Sequence, residues 1–239
     1  MRQKVRRIII IISLLLFPIT LNYLSPYVSI DGAMIGIISG SLIVFILMLI
    51  TGIFFGRSWC SWVCPIACLS EMCQTVNNKN VNVKKLKIIR YSIFTIWASV
   101  LLFMFILAGG IKGINPLHLT DYGISVDEPF KYITYYLVLI LFFIVTLLIG
   151  KRGACHSFCW MSPFLVFGFT IGKILKIPQL RIKAKSSACT GCGACNKKCP
   201  MSINVSSEIK SGCIKSSDCI LCGECADNCK NKVLYYSFK

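Results

Sequence analysis

Four long apolar runs constrain the fold of this chain more than any other feature. They cover residues 8–27, 34–55, 88–108 and 132–149, and the only charged residue in them is Arg90. An α-helix rises about 1.5 Å per residue, so these runs would span about 27 to 33 Å, the thickness of a bilayer's hydrocarbon core. We therefore predict four transmembrane helices, with Arg90 snorkelling from a helix end to the lipid headgroups.

The composition supports a membrane protein. Hydrophobic residues make up 56% of the chain and charged residues 15%, against about 25% charged residues in a soluble domain. An ordinary soluble globule and a disordered chain are both excluded. A signal peptide is the alternative for the first run, although no small-x-small cleavage site follows it. Residues 160–171 are apolar but too few to cross a bilayer, so we expect an interfacial or re-entrant segment there.

The net charge of +17 comes from 26 Lys and Arg against 9 Asp and Glu. Such an excess is common in nucleic-acid-binding proteins, so the position of the cations matters. If the N-terminus is cytoplasmic, the predicted outer loops contain only two cations, Lys112 and Lys131, and four acids: Asp31, Asp121, Asp127 and Glu128. This positive-inside distribution predicts a multi-pass protein of the cell membrane with both termini in the cytoplasm, surrounded by membrane lipid and without a nucleic-acid partner.

All 15 cysteines lie in segments predicted to face the reducing cytoplasm, so they are not expected to form a disulfide framework. Near the C-terminus a C-x2-C-x2-C-x3-C pattern occurs twice. The first copy, which is followed by proline, is Cys189, Cys192, Cys195 and Cys199, and the second is Cys219, Cys222, Cys225 and Cys229. Zinc sites use two cysteine pairs held well apart, whereas a tight triplet plus a fourth cysteine is typical of a [4Fe-4S] cluster. We predict two [4Fe-4S] clusters.

Residues 188–230 resemble a bacterial two-cluster ferredoxin, which implies a small α+β domain with pseudo-twofold symmetry. In such ferredoxins the fourth cysteine of each motif binds the other cluster. The resemblance therefore implies that cluster one is held by Cys189, Cys192, Cys195 and Cys229, and cluster two by Cys219, Cys222, Cys225 and Cys199. The sequence departs from the pattern at Lys230, where the second motif would have proline.

A second type of cysteine motif is also duplicated. Cys60-x3-Cys64-Pro65 follows the second apolar run, and Cys155-x3-Cys159 follows the fourth, each after a glycine and basic residues. Two such turns packed together would place four sulfurs around a common centre at the cytoplasmic membrane boundary. Packing alone is the alternative, because cysteine is small and often buried. Cys68 and Cys73 could complete or replace one pair, and we expect Cys213 to be a free thiol.

With both types of motif in place, nearly the whole chain resembles the membrane ferredoxin-type proteins of the NapH kind, the quinol-dehydrogenase membrane component. The resemblance implies four transmembrane helices arranged as a doubled hairpin in residues 1–177, and a cytoplasmic two-cluster ferredoxin domain in residues 178–239. The second C-x3-C motif departs from the family pattern at Trp160, because its proline arrives only at Pro163.

Other redox and catalytic chemistry finds little support. The four apolar runs contain no histidine for a b-type haem, and the sequence has no C-x-x-C-H haem motif and no nucleotide-binding G-x-G-x-x-G. His156, inside the second C-x3-C motif, could donate a hydrogen bond to a cluster or carry a proton. We predict no catalytic residue, but an electron relay between cytoplasmic clusters and a quinone or another redox protein, such as a flavoprotein, cytochrome or reductase. The alternative is an iron-sulfur protein for metalloenzyme assembly or redox sensing.

Overall fold

Helices form most of the first 177 residues, as the apolar runs predict. The computed structural model describes residues 1–238, so Lys239, the last residue of the predicted tail domain, lies outside the described residues. The helices of this part are α1 (Arg2–Leu15), α2 (Phe17–Thr20), α3 (Pro26–Met34), α4 (Gly40–Phe55), α5 (Trp59–Trp62), α6 (Pro65–Val76), α7 (Val83–Leu107), α8 (Lys131–Ile149), α9 (Gly153–Ser157) and α10 (Ser162–Ile174).

Two of these helices, α7 and α8, are long and apolar enough to cross a membrane. Helices α4 and α10 are apolar but shorter, with 16 and 13 residues. At about 1.5 Å per residue, α4 is about 24 Å long, somewhat less than a typical hydrocarbon core. The structure thus supplies two candidate spans, and a membrane domain with four spans stays a prediction.

The expectation of one continuous helix over residues 8–27 is wrong. The structure divides this run into α1, α2, a 3-10 turn at Asn22–Leu24 and the start of α3. Ser25 is extended, with φ −87° and ψ 128°, and Pro26 is the first residue of α3. Proline has no backbone N–H and pushes the residue before it out of the helical region, so Pro26 ends one segment and begins the next.

The second run also forms a shorter helix than expected. Residues 34–55 were predicted as one helix, but α4 begins only at Gly40. Before it, strand β1 (Ile37–Ser39) pairs in parallel with β2 (Gly113–Asn115) from the loop between α7 and α8. Gly36 precedes β1 with φ +77°, a conformation that suits glycine and ends the preceding helical segment.

Helix α10 lies beside α4 and runs in the same direction. Gly52 of α4 touches Leu165, where an added Cβ would stand 2.8 Å from the Leu165 carbonyl oxygen. Further along both helices, Gly172 of α10 packs on the backbone of Ile53, near the end of α4 at Phe55. Glycines allow the two backbones to approach closely, as they do between membrane helices. Because α10 ends on the same side as α4, this packing favours the re-entrant alternative for residues 160–171.

Helices α6 and α8 pack together in the same parallel arrangement as α10 and α4. The Cys73 thiol lies 4.0 Å from the Phe143 carbonyl oxygen, and the Asn77 side chain donates a hydrogen bond of 2.6 Å to the Leu147 carbonyl. Both residue numbers rise together, so α6 and α8 are also parallel. The short helices α6 and α10 therefore each run parallel to the apolar helix on which they pack, α8 and α4 respectively.

The tail folds around a two-stranded sheet. Strand β3 (Leu180–Ala184) pairs antiparallel with β4 (Leu234–Phe238), from Leu180 opposite Phe238 to Ala184 opposite Leu234. Between them lie the short helices α11 (Ala194–Lys198), α12 (Val205–Ile209) and α13 (Glu224–Asp227). The core of the tail consists of fully buried aliphatic side chains: Ile182, Met201, Val205, Ile220 and Val233. This is the small α+β arrangement that the ferredoxin resemblance implies.

Candidate metal centres

The eight cysteines of the tail line two separate cavities. One is lined by Cys189, Cys192, Cys195 and Cys229. The other is lined by Cys199, Cys219, Cys222 and Cys225. The structure thus brings together the two crossed sets that the ferredoxin resemblance implies, with the fourth cysteine of each motif beside the triplet of the other.

Each triplet has the same local structure. A glycine in the left-handed conformation, Gly193 with φ +70° or Gly223 with φ +78°, precedes a short helix that contains the third cysteine, Cys195 in α11 or Cys225 in α13. Only glycine adopts this conformation without strain, so the turn holds the second and third sulfurs on one side of the loop.

The cavity of the second set is the more buried one. Burial raises the pKa of Cys219 to about 12, and it raises the pKa of Cys222 to about 11, where the nearby Cys199 sulfur adds to the shift. Cys189 and Cys192 of the first set are exposed to solvent instead. Thiolates at the second site are stable only with compensating positive charge, which the iron of a cluster supplies.

Zinc fits these cavities less well. A single tetrahedral zinc ion with Zn–S bonds of about 2.3 Å needs sulfurs about 3.8 Å apart. Among residues 1–238, no three His, Cys, Asp or Glu side chains stand close enough to hold a single metal ion. Thiolates around an iron-sulfur cubane lie further apart, so two sets of four cysteines around a common space fit a cluster.

The duplicated C-x3-C motifs meet in the helical part of the protein. Cys60 lies in α5, Cys64 directly precedes Pro65 of α6, Cys155 lies in α9, and Cys159 precedes α10. All four are buried, with exposed fractions between 7% and 9%. Burial raises the pKa of Cys64 well above its usual value, and the neighbouring sulfurs of Cys60, Cys155 and Cys159 raise it further. The structure therefore brings these four sulfurs into one buried group.

The two motifs differ at the residue after the second cysteine, as the sequence indicates. Helix α6 begins at once with Pro65, whereas α10 begins three residues after Cys159, with Pro163 in its first turn. The intervening Trp160 donates a hydrogen bond of 2.9 Å from its Nε1 to the Leu24 carbonyl. The missing proline thus lengthens the turn without separating Cys159 from the other three cysteines.

Buried arginines surround the group. The sequence indicates the basic residues before each motif, but the carboxylates that bind them were missed. Arg57 and Arg152 each lie three residues before the first cysteine of a motif, so the repeat is R-x2-C-x3-C. Arg57 donates to Asp218 at 3.0 Å, and Arg152 donates to Glu71 at 2.6 Å and to the Cys60 carbonyl at 2.7 Å.

A second arginine joins each carboxylate. Arg6 donates to Glu71 at 2.5 Å, and Arg90 donates to Asp218 at 2.9 Å. The expectation that Arg90 snorkels to lipid headgroups is wrong, because it is only 1% exposed and bonds Asp218 instead. Four buried guanidiniums thus face three carboxylates, because Glu224 also lies 3.4 Å from Arg6. This leaves a surplus of positive charge beside the four cysteines, and several guanidinium N–H groups of Arg57, Arg90 and Arg152 have no partner within residues 1–238.

The same region fastens the tail to the helical domain. Ser61, inside the first C-x3-C motif, donates from Oγ to the Ile220 carbonyl at 2.6 Å, and Trp62 donates from Nε1 to the Leu221 carbonyl at 3.4 Å. Gln3 donates to the Cys222 carbonyl at 2.9 Å. The loop that carries Cys219 and Cys222 therefore sits directly on the motif that carries Cys60 and Cys64.

His156 is fully buried among these charges, and neither ring nitrogen has a hydrogen-bond partner within the described residues. Burial lowers its pKa to about 3, with a further decrease from the positive charge of Arg57. The ring is therefore neutral at neutral pH. A neutral His156 ring can still donate the expected hydrogen bond to a cluster. A pKa this low does not favour the expected role of His156 as a proton carrier.

The remaining cysteines lie beside other neighbours. Cys68 faces the space between α1 and α6, and burial raises its pKa, with a contribution from Glu71. Cys73 is the residue already placed against Phe143 of α8. Cys213 pairs through its backbone with Lys183 and is partly exposed. Their expected roles, ligand for Cys68 or Cys73 and free thiol for Cys213, stay predictions.

Comparison with known families adds the identity of the cofactor. A 4Fe-4S binding domain family matches residues 38–84, and a 4Fe-4S dicluster domain family matches residues 188–234. The chain binds two [4Fe-4S] clusters. The second match contains all eight tail cysteines, and the first contains Cys60 and Cys64.

The chain is also similar to ferredoxin-type proteins of known sequence. The methylamine utilization ferredoxin-type protein MauN of Methylorubrum extorquens is 28% identical, over 87% of this chain and 72% of MauN. The putative electron transport protein YccM of Escherichia coli is 21% identical, over 77% of this chain and 52% of YccM. MauN of Paracoccus denitrificans is 27% identical, over 73% of this chain and 60% of its own length. The chain thus spans about half to three quarters of these relatives, and no solved structure matches it.

Proposed function

We propose that this protein is a membrane-bound iron-sulfur electron-transfer protein, which connects cytoplasmic [4Fe-4S] clusters to a quinone or another redox protein through a further iron-sulfur centre at the membrane boundary. The observation that carries the proposal is the meeting of Cys60, Cys64, Cys155 and Cys159 under the loop of Cys219 and Cys222. Iron-sulfur clusters, when bound, supply one-electron transfer. We also propose that the protein acts as a quinol-dehydrogenase membrane component of the NapH kind, which its sequence resembles.

Membrane insertion is supported by the surface of the helical domain. Helices α7 and α8 bury only 17% of their most apolar segments inside the protein. Their exposed side chains include Ile96, Leu102 and Phe103 of α7 and Ile140 and Leu148 of α8. An exposed apolar surface of this extent is expected to contact lipid. The positive-inside distribution supports a cytoplasmic position for the tail and both termini.

The charges around the four buried cysteines suit an anionic centre. Four thiolates with the iron and sulfide of a cluster carry net negative charge, and burying such charge is unfavourable without compensation. The surplus guanidiniums of Arg57, Arg90 and Arg152 provide compensation, and their unpartnered N–H groups can donate to sulfur. Cysteines that served packing alone would leave part of this buried positive charge uncompensated.

A cavity of about 390 Å³ lies between α1, α6 and the tail, within the size range of small-molecule sites. Ile10, Ile11 and Met72 supply apolar surface, while Arg7 and Glu71 supply polar groups. Since α1 lies at the predicted cytoplasmic boundary, this cavity offers a place for a quinone headgroup with its tail in the lipid.

The test is replacement of Cys60, Cys64, Cys155 and Cys159 by serine together, in the full-length protein. We expect loss of one electron paramagnetic resonance signal, lower iron content, and no electron transfer to a membrane quinone. The tail clusters keep their own ligands and should retain their signals.

Cys213→Ser is the matched control, because it removes a thiol from the same protein outside both predicted cluster sets, and it should change none of these quantities. Unchanged iron content and quinone reduction in the fourfold variant would show that the four cysteines serve packing.

A further inference from the structure

We infer that the face of the tail around cluster one binds a small acidic protein electron carrier, such as a flavodoxin. The inference rests on the proposed electron-transfer function and adds its soluble partner. Three independent features carry it: the position of the two clusters relative to the helical domain, the separation of charge between the two halves of the tail, and the distance of the basic half from the membrane.

The two cavities of the tail differ in their access to solvent. The loop of cluster two is covered by the helical domain through Ser61, Trp62 and Gln3. The loop of cluster one carries Cys189 and Cys192 at the surface, and its cavity is lined by tail residues. A soluble protein can therefore approach cluster one closely, while cluster two is reached through the protein.

Charge separates the two halves of the tail. Residues 216–229, around cluster two, contain three acids and no Lys or Arg. Residues 178–207, around cluster one, contain five Lys and Arg and no Asp or Glu. The acidic half is docked on a basic surface of the same chain, where Asp218, Glu224 and Asp227 face arginines of the helical domain. By the same complementarity, the basic half fits an acidic partner.

Three exposed lysines form the edge of the cluster-one site, which we call the lysine rim: Lys185, Lys230 and Lys232. Lys230 follows Cys229 and lines the same cavity as Cys189. The Lys185 amide donates to the Val233 carbonyl at 3.0 Å, which places Lys185 beside the segment of Lys232. The rim thus surrounds the place where cluster one is most accessible.

Surface lysines can also bind anionic lipid, but the two-stranded sheet holds the lysine rim at a distance from the helical domain. At one end of the sheet, Phe238 packs on Phe55 of α4. At the other end, Ala184 pairs with Leu234 directly before the rim. Four residue steps of about 3.3 Å separate these ends by about 13 Å, more than the screening length of about 8 Å at physiological salt.

The test measures binding of an acidic flavodoxin to the full-length protein in nanodiscs of uncharged phosphatidylcholine. We expect saturable binding that weakens with salt, and a loss of affinity of about tenfold or more when the rim lysines are all changed to glutamate. The control variant carries Lys210→Glu and Lys215→Glu, two exposed lysines elsewhere in the tail, and should lose less than twofold. Iron content and cluster spectra, measured on all variants, report intact tails.

Equal losses in the rim and control variants, or no flavodoxin binding at all, would overturn the inference. Acetylation of the rim lysines should proceed at the same rate in phosphatidylcholine and phosphatidylglycerol nanodiscs. Protection of the rim in phosphatidylglycerol alone would assign the lysines to the membrane instead. Because binding is measured without quinone reduction, its failure is distinguishable from failure of the membrane-boundary centre.

Discussion

Asp218→Asn tests whether the tail is held on the helical domain by buried charge. The carboxylate lies 3.0 Å from Arg57 and 2.9 Å from Arg90, and all three side chains are at least 93% buried. At an effective dielectric constant of about 20, each contact amounts to roughly 5 kcal/mol before desolvation is subtracted. Removing one partner of a buried ion pair typically costs about 3 to 5 kcal/mol, because the remaining charges stay buried and uncompensated. We therefore expect docking of the tail to weaken by at least about 3 kcal/mol, a factor of roughly 150 in the docking equilibrium.

Hydrogen exchange of the full-length protein in nanodiscs measures this effect at residues 216–222, which should exchange faster in the variant. The matched control is Asp227→Asn, at the same interface. Asp227 is one-third exposed in its ion pair with Arg2, and exposed pairs contribute about 0 to 1 kcal/mol. If both variants exchanged at the rate of the unmodified protein, or if both changed equally, the buried carboxylate would not be the group that holds the tail.

Three further variants test separate parts of the structure. Gly168→Ala places a Cβ against the Leu49 carbonyl oxygen, so α4 and α10 must separate. We expect the free energy of unfolding to fall by about 1 to 3 kcal/mol, measured by thermal unfolding. The control Gly113→Ala, where a Cβ meets open space, should change it little. Burial alone would raise the pKa of the Glu71 carboxyl, but its two arginine partners outweigh burial and hold the pKa below its usual 4.5. The ionised carboxylate therefore stabilises the fold above pH 4.5, and this contribution is lost as the pH falls through the lowered pKa. The stability difference between the unmodified protein and Glu71→Gln should accordingly disappear in acid. Ser61→Ala removes the hydrogen bond to the cluster-two loop and should lower protection from exchange there by about 1 kcal/mol; unchanged protection would assign that contact no role in docking.

The repeated local patterns were readable from the sequence because spacing alone determines them. Two copies of a tight cysteine triplet and two copies of C-x3-C predict four cysteine-bearing loops. The ferredoxin resemblance implies the two crossed sets of tail cysteines, which the structure places around two cavities. Pro18, Asn22 and Pro26 lie in the first apolar run, and this is the run that the structure divides into several segments. Its exact division depends on the contacts of each turn with neighbouring helices, which a single run does not reveal.

The ion pairs were not readable, because each joins residues far apart in the chain. Glu71 is one acid among nine, and nothing near it predicts that Arg6 and Arg152 approach it from two other segments. Arg90 gave a misleading signal: a lone cation near the end of an apolar run usually reaches the headgroups. It turns inward because Asp218, 128 residues later, is buried at the same position.

These ion pairs explain why the pseudo-symmetric tail docks on the helical domain in one orientation. The duplicated cysteine motif builds two similar cavities, and either one could face the helical domain on shape alone. The acids near Cys219 and Cys222 and the cations near Cys189 and Cys192 remove this ambiguity, because only the acidic half satisfies the buried arginines. Exchanging the two halves would place lysines against Arg6 and Arg57, a like-charge contact that opposes docking. The charge of the tail, more than its fold, therefore determines which cluster lies against the helical domain and which one is exposed to solvent.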